Sequence, residues 1–377
     1  MTQNSDQTPH ILIECGRYFT HCGYAGKDKT ELSFRTPSIS IEEQFKRIFK
    51  EILKVDPAQH KVVIVKDAGT TQQILRDEAN ILFAKFRVKA CAFINAQMGI
   101  MASWVRGSNG LIIDKGYKST LIVPVIDLKI KMDFIANFPM AGSSIEQFII
   151  GQLIKHGIAK DIIEKHREQL FPYLMRDYYY FNSDSEQDFE KEAIENRKKN
   201  LPKYLTLNDK EGKLIELSLP SPVLPPDLII EKYNSSNLSF SKEIINHIIK
   251  ILETFGVDNL GSLIELNYTS WWVGCIIITG GASNILGLRS LIIRELLKKT
   301  EIKRYTDCKR APSCPLIDFE FKDVAFTIRN ILPENTTCSW LGASILSSLK
   351  VFKKFFITKE TYQTNSDIFF QLDYKNI

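Results

Sequence analysis

Apolar positions along the chain follow two periods. Ile11–Cys15, Val62–Val65, Ala90–Ile94 and Leu111–Ile113 are short continuous runs, the pattern of strands buried on both faces. Elsewhere the spacing is helical. Phe45, Ile48, Phe49, Ile52 and Leu53 form one stripe, and Leu75, Ala79, Leu82, Phe83 and Phe86 form another. Further elements are predicted as a helix over 96–105, a strand over Lys129–Phe134 and a helix beginning near Ile145 with Ser143 or Ser144 as N-cap. Later come a small hairpin of Lys203–Leu207 with Lys213–Leu219, an Ile-rich helix from Ile244 to Phe255, a strand Cys275–Thr279, a helix Leu288–Lys299, an irregular stretch Cys308–Asp323 and a helix within Ser339–Leu349. Strands alternating with helices predict an α/β fold.

Two stretches far apart repeat one design. ILIECG at Ile11–Gly16 and LIIDKG at Leu111–Gly116 are each an apolar run, an acid, one residue and a glycine. Each precedes a second strand-like run, Tyr18–Tyr24 and Ser119–Ile126. A repeated strand–acid–x–Gly hairpin implies a duplicated fold that closes two phosphate-gripping turns around one nucleotide. There the acids would orient a metal and water, and the glycines would let backbone N–H groups approach phosphate. Bulky residues crowd both turns: Arg17 and Tyr18 in the first, Lys115, Tyr117 and Lys118 in the second.

Composition narrows the class. The 377 residues suffice for two domains with a large core, and 44% hydrophobic and 25% charged residues are ordinary for a globular protein. A net charge of +5 is mild, and Arg197, Lys198 and Lys199 sit among glutamates, so no nucleic-acid surface is expected. The polar start up to His10 lacks a signal-peptide pattern, and no apolar run reaches membrane-span length. The seven cysteines form no C-x-x-C pair, and no histidine lies near Cys308 and Cys314, so idle thiols are expected rather than a zinc site.

The chain resembles the actin family, within the actin, hsp70 and sugar-kinase superfamily. His21–Ser38 (HCGYAGKDKTELSFRTPS) resembles the actin first hairpin and the stretch after it. Ile276–Leu288 (IIITGGASNILGL) resembles the adenosine-binding strand–Gly–Gly–helix, Val123–Phe148 resembles the region after the second phosphate loop, and Ser339–Tyr362 resembles the C-terminal hinge and helix. The resemblance is weakest over about 150–270. It implies an actin-like fold of duplicated ribonuclease-H-like halves: a first half at 1–125, a second at 126–335 with an inserted subdomain at about 170–262, and a C-terminal hinge and return at 336–377.

The departures from the pattern indicate the role. Where actin has an acid, glycine, serine, glycine and a later lysine, this chain has Glu14, Gly16, Arg17, Tyr18 and His21. Asp114 remains in the second loop beside Gly116, but the second aspartate is Tyr117, and the water-polarising histidine is Leu121. Gln97 falls at the water-positioning glutamine. Gly280, Gly281 and Ala282 keep the small residues of the adenosine seat. Two readings stay open: a filled cleft without nucleotide, or ATP or ADP held as structural glue with Arg17, Lys115 or Lys118 on its phosphates. Hydrolysis is not expected.

After Thr36-Pro37-Ser38 the pattern would continue into a small second subdomain carrying the loop that inserts into the next protomer of a filament. Here Ser40 leads straight into EEQFKRIFKEIL. The resemblance therefore implies a non-polymerising, cytoplasmic cytoskeletal subunit that caps the pointed end of the dynactin filament. Its expected partners are the filament-forming actin-related protein and the other pointed-end subunits. Phe355, Phe356 and Tyr362 are the candidate exposed contacts, with Ile345, Leu349 and Phe352 expected to face inward. The alternatives are a nuclear chromatin-remodelling subunit of the same family and an active ATPase.

Overall fold

The computed structural model describes residues 9–36, 39–103, 110–126, 128–139, 141–182, 190–208, 214–224, 246–247, 250–251, 276–288, 290–292, 337–365 and 368. The Ile244–Phe255 stripe, most of the helix after Leu288, and the Cys308–Asp323 stretch fall largely or wholly outside these residues. Two compact units are present, one of residues 1–112, 123–135 and 330–377, the other of 113–122 and 136–329.

The strands in chain order are β1 (Ile11–Cys15), β2 (Phe19–Tyr24), β3 (Leu32–Arg35), β4 (Lys61–Lys66), β5 (Ala90–Asn95), β6 (Gly110–Lys115), β7 (Thr120–Ile126), β8 (Lys129–Ile130), β9 (Ala136–Phe138), β10 (Tyr180–Phe181), β11 (Tyr204–Asn208), β12 (Leu214–Ser218), β13 (Val223–Leu224), β14 (Ile276–Thr279) and β15 (Ile357–Thr358). The helices are α1 (Ile41–Lys46), α2 (Gln72–Asn80), α3 (Ala96–Ser103), α4 (Gly142–Lys155), α5 (Lys160–Lys165), α6 (Arg167–Tyr173), α7 (Lys191–Lys199), α8 (Cys338–Ser348) and α9 (Lys359–Thr364). None of the described helices is long and apolar enough to cross a membrane.

The first unit is built on a six-stranded sheet in the order β15-β5-β4-β1-β2-β3. β1, β4 and β5 run parallel, while β2, β3 and β15 are antiparallel to their neighbours. Both faces are covered, which is why these strands read as unbroken apolar runs. Ile11, Ile13, Val62, Ile64, Cys91 and Phe93 pack against the α1 and α2 stripes, including Phe45, Phe49, Leu75 and Phe83. The alternate residues Leu12, Val63, Val65, Ala92 and Ile94 pack against Trp340, Ala343 and Phe352. The α1 and α2 stripes each continue into a wider π-type turn, Arg47–Ile52 and Ile81–Lys85. Five residues, 36 to 40, join β3 to α1, whose N-cap is the Ser40 side chain accepting from Glu43 N.

The second sheet repeats this plan. The β6–β7 hairpin takes the place of β1–β2, with β14 beside β6, and β8 and β9 beside β7. The predicted strand Lys129–Phe134 is instead split. β8 pairs with Val125 and Ile126, β9 pairs with Thr120–Ile122, and a 3-10 turn at Met132–Phe134 lies between. The break faces Pro124, which has no N–H to continue the ladder; only its carbonyl is used, by Lys131 N at 3.0 Å. The small hairpin forms as β11 and β12.

Candidate functional site

Each of the two repeated hairpins turns on a glycine and two bulky residues. Gly16 N donates to Phe19 O at 3.0 Å, leaving Arg17 and Tyr18 as the loop; Gly116 N donates to Ser119 O at 3.0 Å, leaving Tyr117 and Lys118. A Cβ on Gly16 would stand 2.4 Å from the Phe19 carbonyl oxygen, so the first turn admits only glycine there.

In the first unit, Glu14, Gly16 and Arg17 lie together at the C-terminal edge of the parallel strands. Glu14 Oε1 accepts from Ser339 Oγ at 2.5 Å, joining β1 to α8. Thr36 fixes the turn from β3, with Thr36 N to Tyr18 O at 2.9 Å and Thr36 Oγ1 to Gly16 O at 3.0 Å. Arg17 is exposed and stands close enough to Asp67 and Glu78 to favour their charged forms. Below it, Lys66 and Glu78 form a buried ion pair. Burial pushes the Glu78 carboxyl up, against the pull of Lys66. Gln97 is fully buried, accepts from Ala68 N at 2.9 Å and donates to Asp67 Oδ1 at 3.5 Å. Its amide fastens the β4–α2 loop to α3.

In the second unit, Asp114, Gly116, Gly280 and Ala282 are brought together. Gly280 has φ +90°, and a Cβ there would lie 2.4 Å from Lys115 O and 2.6 Å from Asp114 Oδ1. Only glycine satisfies both conditions. Ser283 closes the turn by donating its N and Oγ to Gly280 O at 3.0 and 2.7 Å. Ala282 is buried and faces Gly142, whereas Gly281 is exposed. Lys115 is buried, and burial lowers its amine to about 8.

Tyr117, where the resemblance implies an aspartate, turns to α4. Its hydroxyl donates to Glu146 Oε2 on α4. Arg167 donates from Nε to Glu146 Oε1 at 2.8 Å and from a terminal nitrogen to the Tyr117 oxygen at 3.4 Å. The hydrogen bond to Glu146 holds the Arg167 guanidinium above its ordinary range. Neither Ser143 nor Ser144 caps α4. Gly142 N and Ser143 N donate to the hairpin carbonyls Gly116 O and Tyr117 O at 3.0 and 2.7 Å. Glu146 and Arg167 were absent from the sequence-based candidates. Their signal was a glutamate on the apolar stripe Gly142, Ile145, Ile149, Leu153.

Family resemblance implies ATP or ADP with a metal. The small residues at Gly280–Ala282 fit a base and ribose. In the first unit Glu14 Oε1 accepts from Ser339 and Gln97 is bonded to Ala68 and Asp67; in the second, a phenol bonded to Glu146 stands where the resemblance implies a carboxylate, and a phenol is a poor ligand for a hard, hydrated cation. Among the described residues no cluster of three or more His, Cys, Asp or Glu could hold a metal.

The C-terminal candidates require correction. Tyr362 is not exposed. It packs on Phe83 with ring centroids 5.1 Å apart and donates to Asn80 Oδ1 at 3.1 Å, closing the core over α2. Phe355 and Phe356 are half-buried against Phe352. Phe352 is buried as expected, but Ile345 and Leu349 face solvent, at 43% and 46% exposure, next to Val351 at 58%. The inward face of α8 is instead Trp340 with the small residues Gly342, Ala343, Ser344 and Ser347.

Sequence comparison covers the second hairpin, α4 and α8. The profile of the family described as Actin matches residues 39–168 and 270–369. The chain belongs to the actin family. It is 26% identical over 119 residues to Actin-related protein 4 of Arabidopsis thaliana, covering 31% of this chain and 26% of that protein. It is 22% identical over 337 residues to Actin-like protein 7A of Macaca fascicularis, covering 88% of this chain and 66% of that protein. The match thus spans about a quarter of the first relative's length and about two thirds of the second's. The actin-like α/β fold that the resemblance implied is the fold of this family.

Proposed function

We propose that this actin-family chain is a non-polymerising structural subunit that caps the pointed end of the dynactin actin-like filament, the role of actin-related protein ten, and so supports dynein-driven transport on microtubules. The observation that carries the reading is the direct passage from β3 to α1 in five residues, where the family pattern inserts the filament hook. A subunit without that hook has nothing to offer a successor at one end. The solvent-facing Ile345, Leu349 and Val351 supply an apolar contact surface for a filament subunit, the kind of patch that marks partner sites. ATP hydrolysis is not part of the role, because the groups that would arrange metal and water are engaged elsewhere. Residence in the cytoplasm and cytoskeleton follows from the same reading.

Affinity purification of the tagged protein, with mass spectrometry of the proteins it retains, tests this. The expected eluate contains the filament-forming actin-related protein and the other pointed-end dynactin subunits. Chromatin-remodelling subunits in their place would select the alternative nuclear role and overturn the dynactin assignment.

A further inference from the structure

The second hairpin is fastened in three ways inside its own unit. Its turn closes on itself through Gly116 N and Ser119 O. Its carbonyls at Gly116 and Tyr117 take up the first two amides of α4, groups that every helix must satisfy somehow. Its one aromatic side chain reaches Glu146.

Glu146 is only 1% exposed. A carboxylate buried to that degree persists only if both oxygens meet donors. Both do: Tyr117 serves Oε2, and Arg167 serves Oε1 while its fork also reaches the Tyr117 oxygen. Glu164 adds a second carboxylate to Arg167 at 3.3 Å, fixing the guanidinium from the solvent side. The three side chains come from the hairpin, α4 and α6, so losing one leaves the others mismatched. This closed circuit starts from the turn residue where the resemblance implies a carboxylate.

We infer that Tyr117, Glu146 and Arg167 form a lock that pins the second hairpin to α4 and α6 and makes its order independent of nucleotide and metal. The actin frame has exchanged a ligand-dependent clasp for one made of its own side chains. The lock explains how the fold tolerates a bulky residue in this turn, and it holds whether or not dynactin is the partner.

The test uses the full-length protein. Hydrogen exchange of the 110–126 peptides and thermal melting are followed with Mg-ATP added, and again after EDTA treatment and enzymatic removal of nucleotide. The expected result is unchanged exchange of the 110–126 peptides, because nucleotide bound to the folded protein raises its melting temperature without altering a hairpin held by its own side chains. Tyr117→Phe and Glu146→Gln should each speed exchange in the hairpin roughly tenfold or more, the effect of losing a hydrogen bond to a charged group, and the double variant should do little beyond either single one. Loss of protection in the unaltered protein on stripping would overturn the inference, as would a Tyr117→Phe protein with wild-type exchange. The stripping experiment decides even if a variant does not fold.

Discussion

Gly99 on α3 and Gly342 on α8 meet backbone to backbone. A Cβ on Gly342 would stand 1.6 Å from the Gly99 carbonyl oxygen, and one on Gly99 would stand 2.4 Å from Ser339 O. No rotamer change relieves a clash with a carbonyl. Gly342→Ala is therefore expected to destabilise the protein by about 3 kcal/mol or more, at the upper end of overpacking costs. Urea denaturation measures this. A midpoint within error of wild type would mean the two helices are not in contact.

The corrected C-terminal geometry separates surface from core. Leu349→Glu and Ile345→Glu, at exposed positions, should leave the melt almost unchanged and abolish co-precipitation of the filament subunit. Tyr362→Glu should behave oppositely, removing a buried ring and burying an uncompensated carboxyl at a cost of about 3–5 kcal/mol. A folded Tyr362→Glu protein would contradict its placement against Phe83.

Alkaline stability follows from the thiols. Burial pushes Cys22 up to about 12, and its Sγ lies 3.6 Å from Leu32 O. The folded value exceeds the ordinary 9.0, so above that pH the unfolded chain releases its proton first. The contribution is complete below about pH 9 and is lost as pH rises toward about 12. Cys22→Ala should flatten the decline in melting temperature between those values. At pH 8 the Cys22 peptide should resist alkylation until denaturant is added, and prompt labelling of the native protein would refute its burial.

Turnover of ATP should be negligible. Leu121 is buried where a histidine would polarise water, and the Gln97 amide is committed to Ala68 and Asp67. Loss of such positioned groups typically costs a hundredfold or more each. Phosphate release from the purified protein should not exceed the buffer control, and Gln97→Ala should lower stability without altering that rate. Release at the rate of a polymerising actin would defeat the claim.

The fold was legible in the sequence where burial made the pattern simple. Strands β1, β4 and β5 are covered on both faces, so their apolar runs were unambiguous, and the repeated acid–x–Gly exposed the duplication. The break between β8 and β9 was hidden because it depends on what Pro124 cannot donate to a partner strand. The α8 face was misassigned because, Trp340 apart, its interior is made of cysteine, glycine, alanine and serine. Close backbone packing there pushes the large residues Ile345 and Leu349 outward, the reverse of the usual stripe. Tyr117 was visible as a departure, but its partners lay 29 and 50 residues away and were linked by tertiary contact alone.

The first sheet draws its strands from both ends of the chain. A ribosome delivers β1 to β5 early, but α8 and β15 only after some 240 further residues. At roughly 5–20 residues per second, Leu12, Val63 and Ala92 wait on the order of ten seconds to a minute for Trp340 and Phe352 to cover them. For that interval a nascent chain presents an uncapped β5 edge and one bare apolar sheet face. Truncation ahead of α8 is therefore expected to leave that face open to other chains.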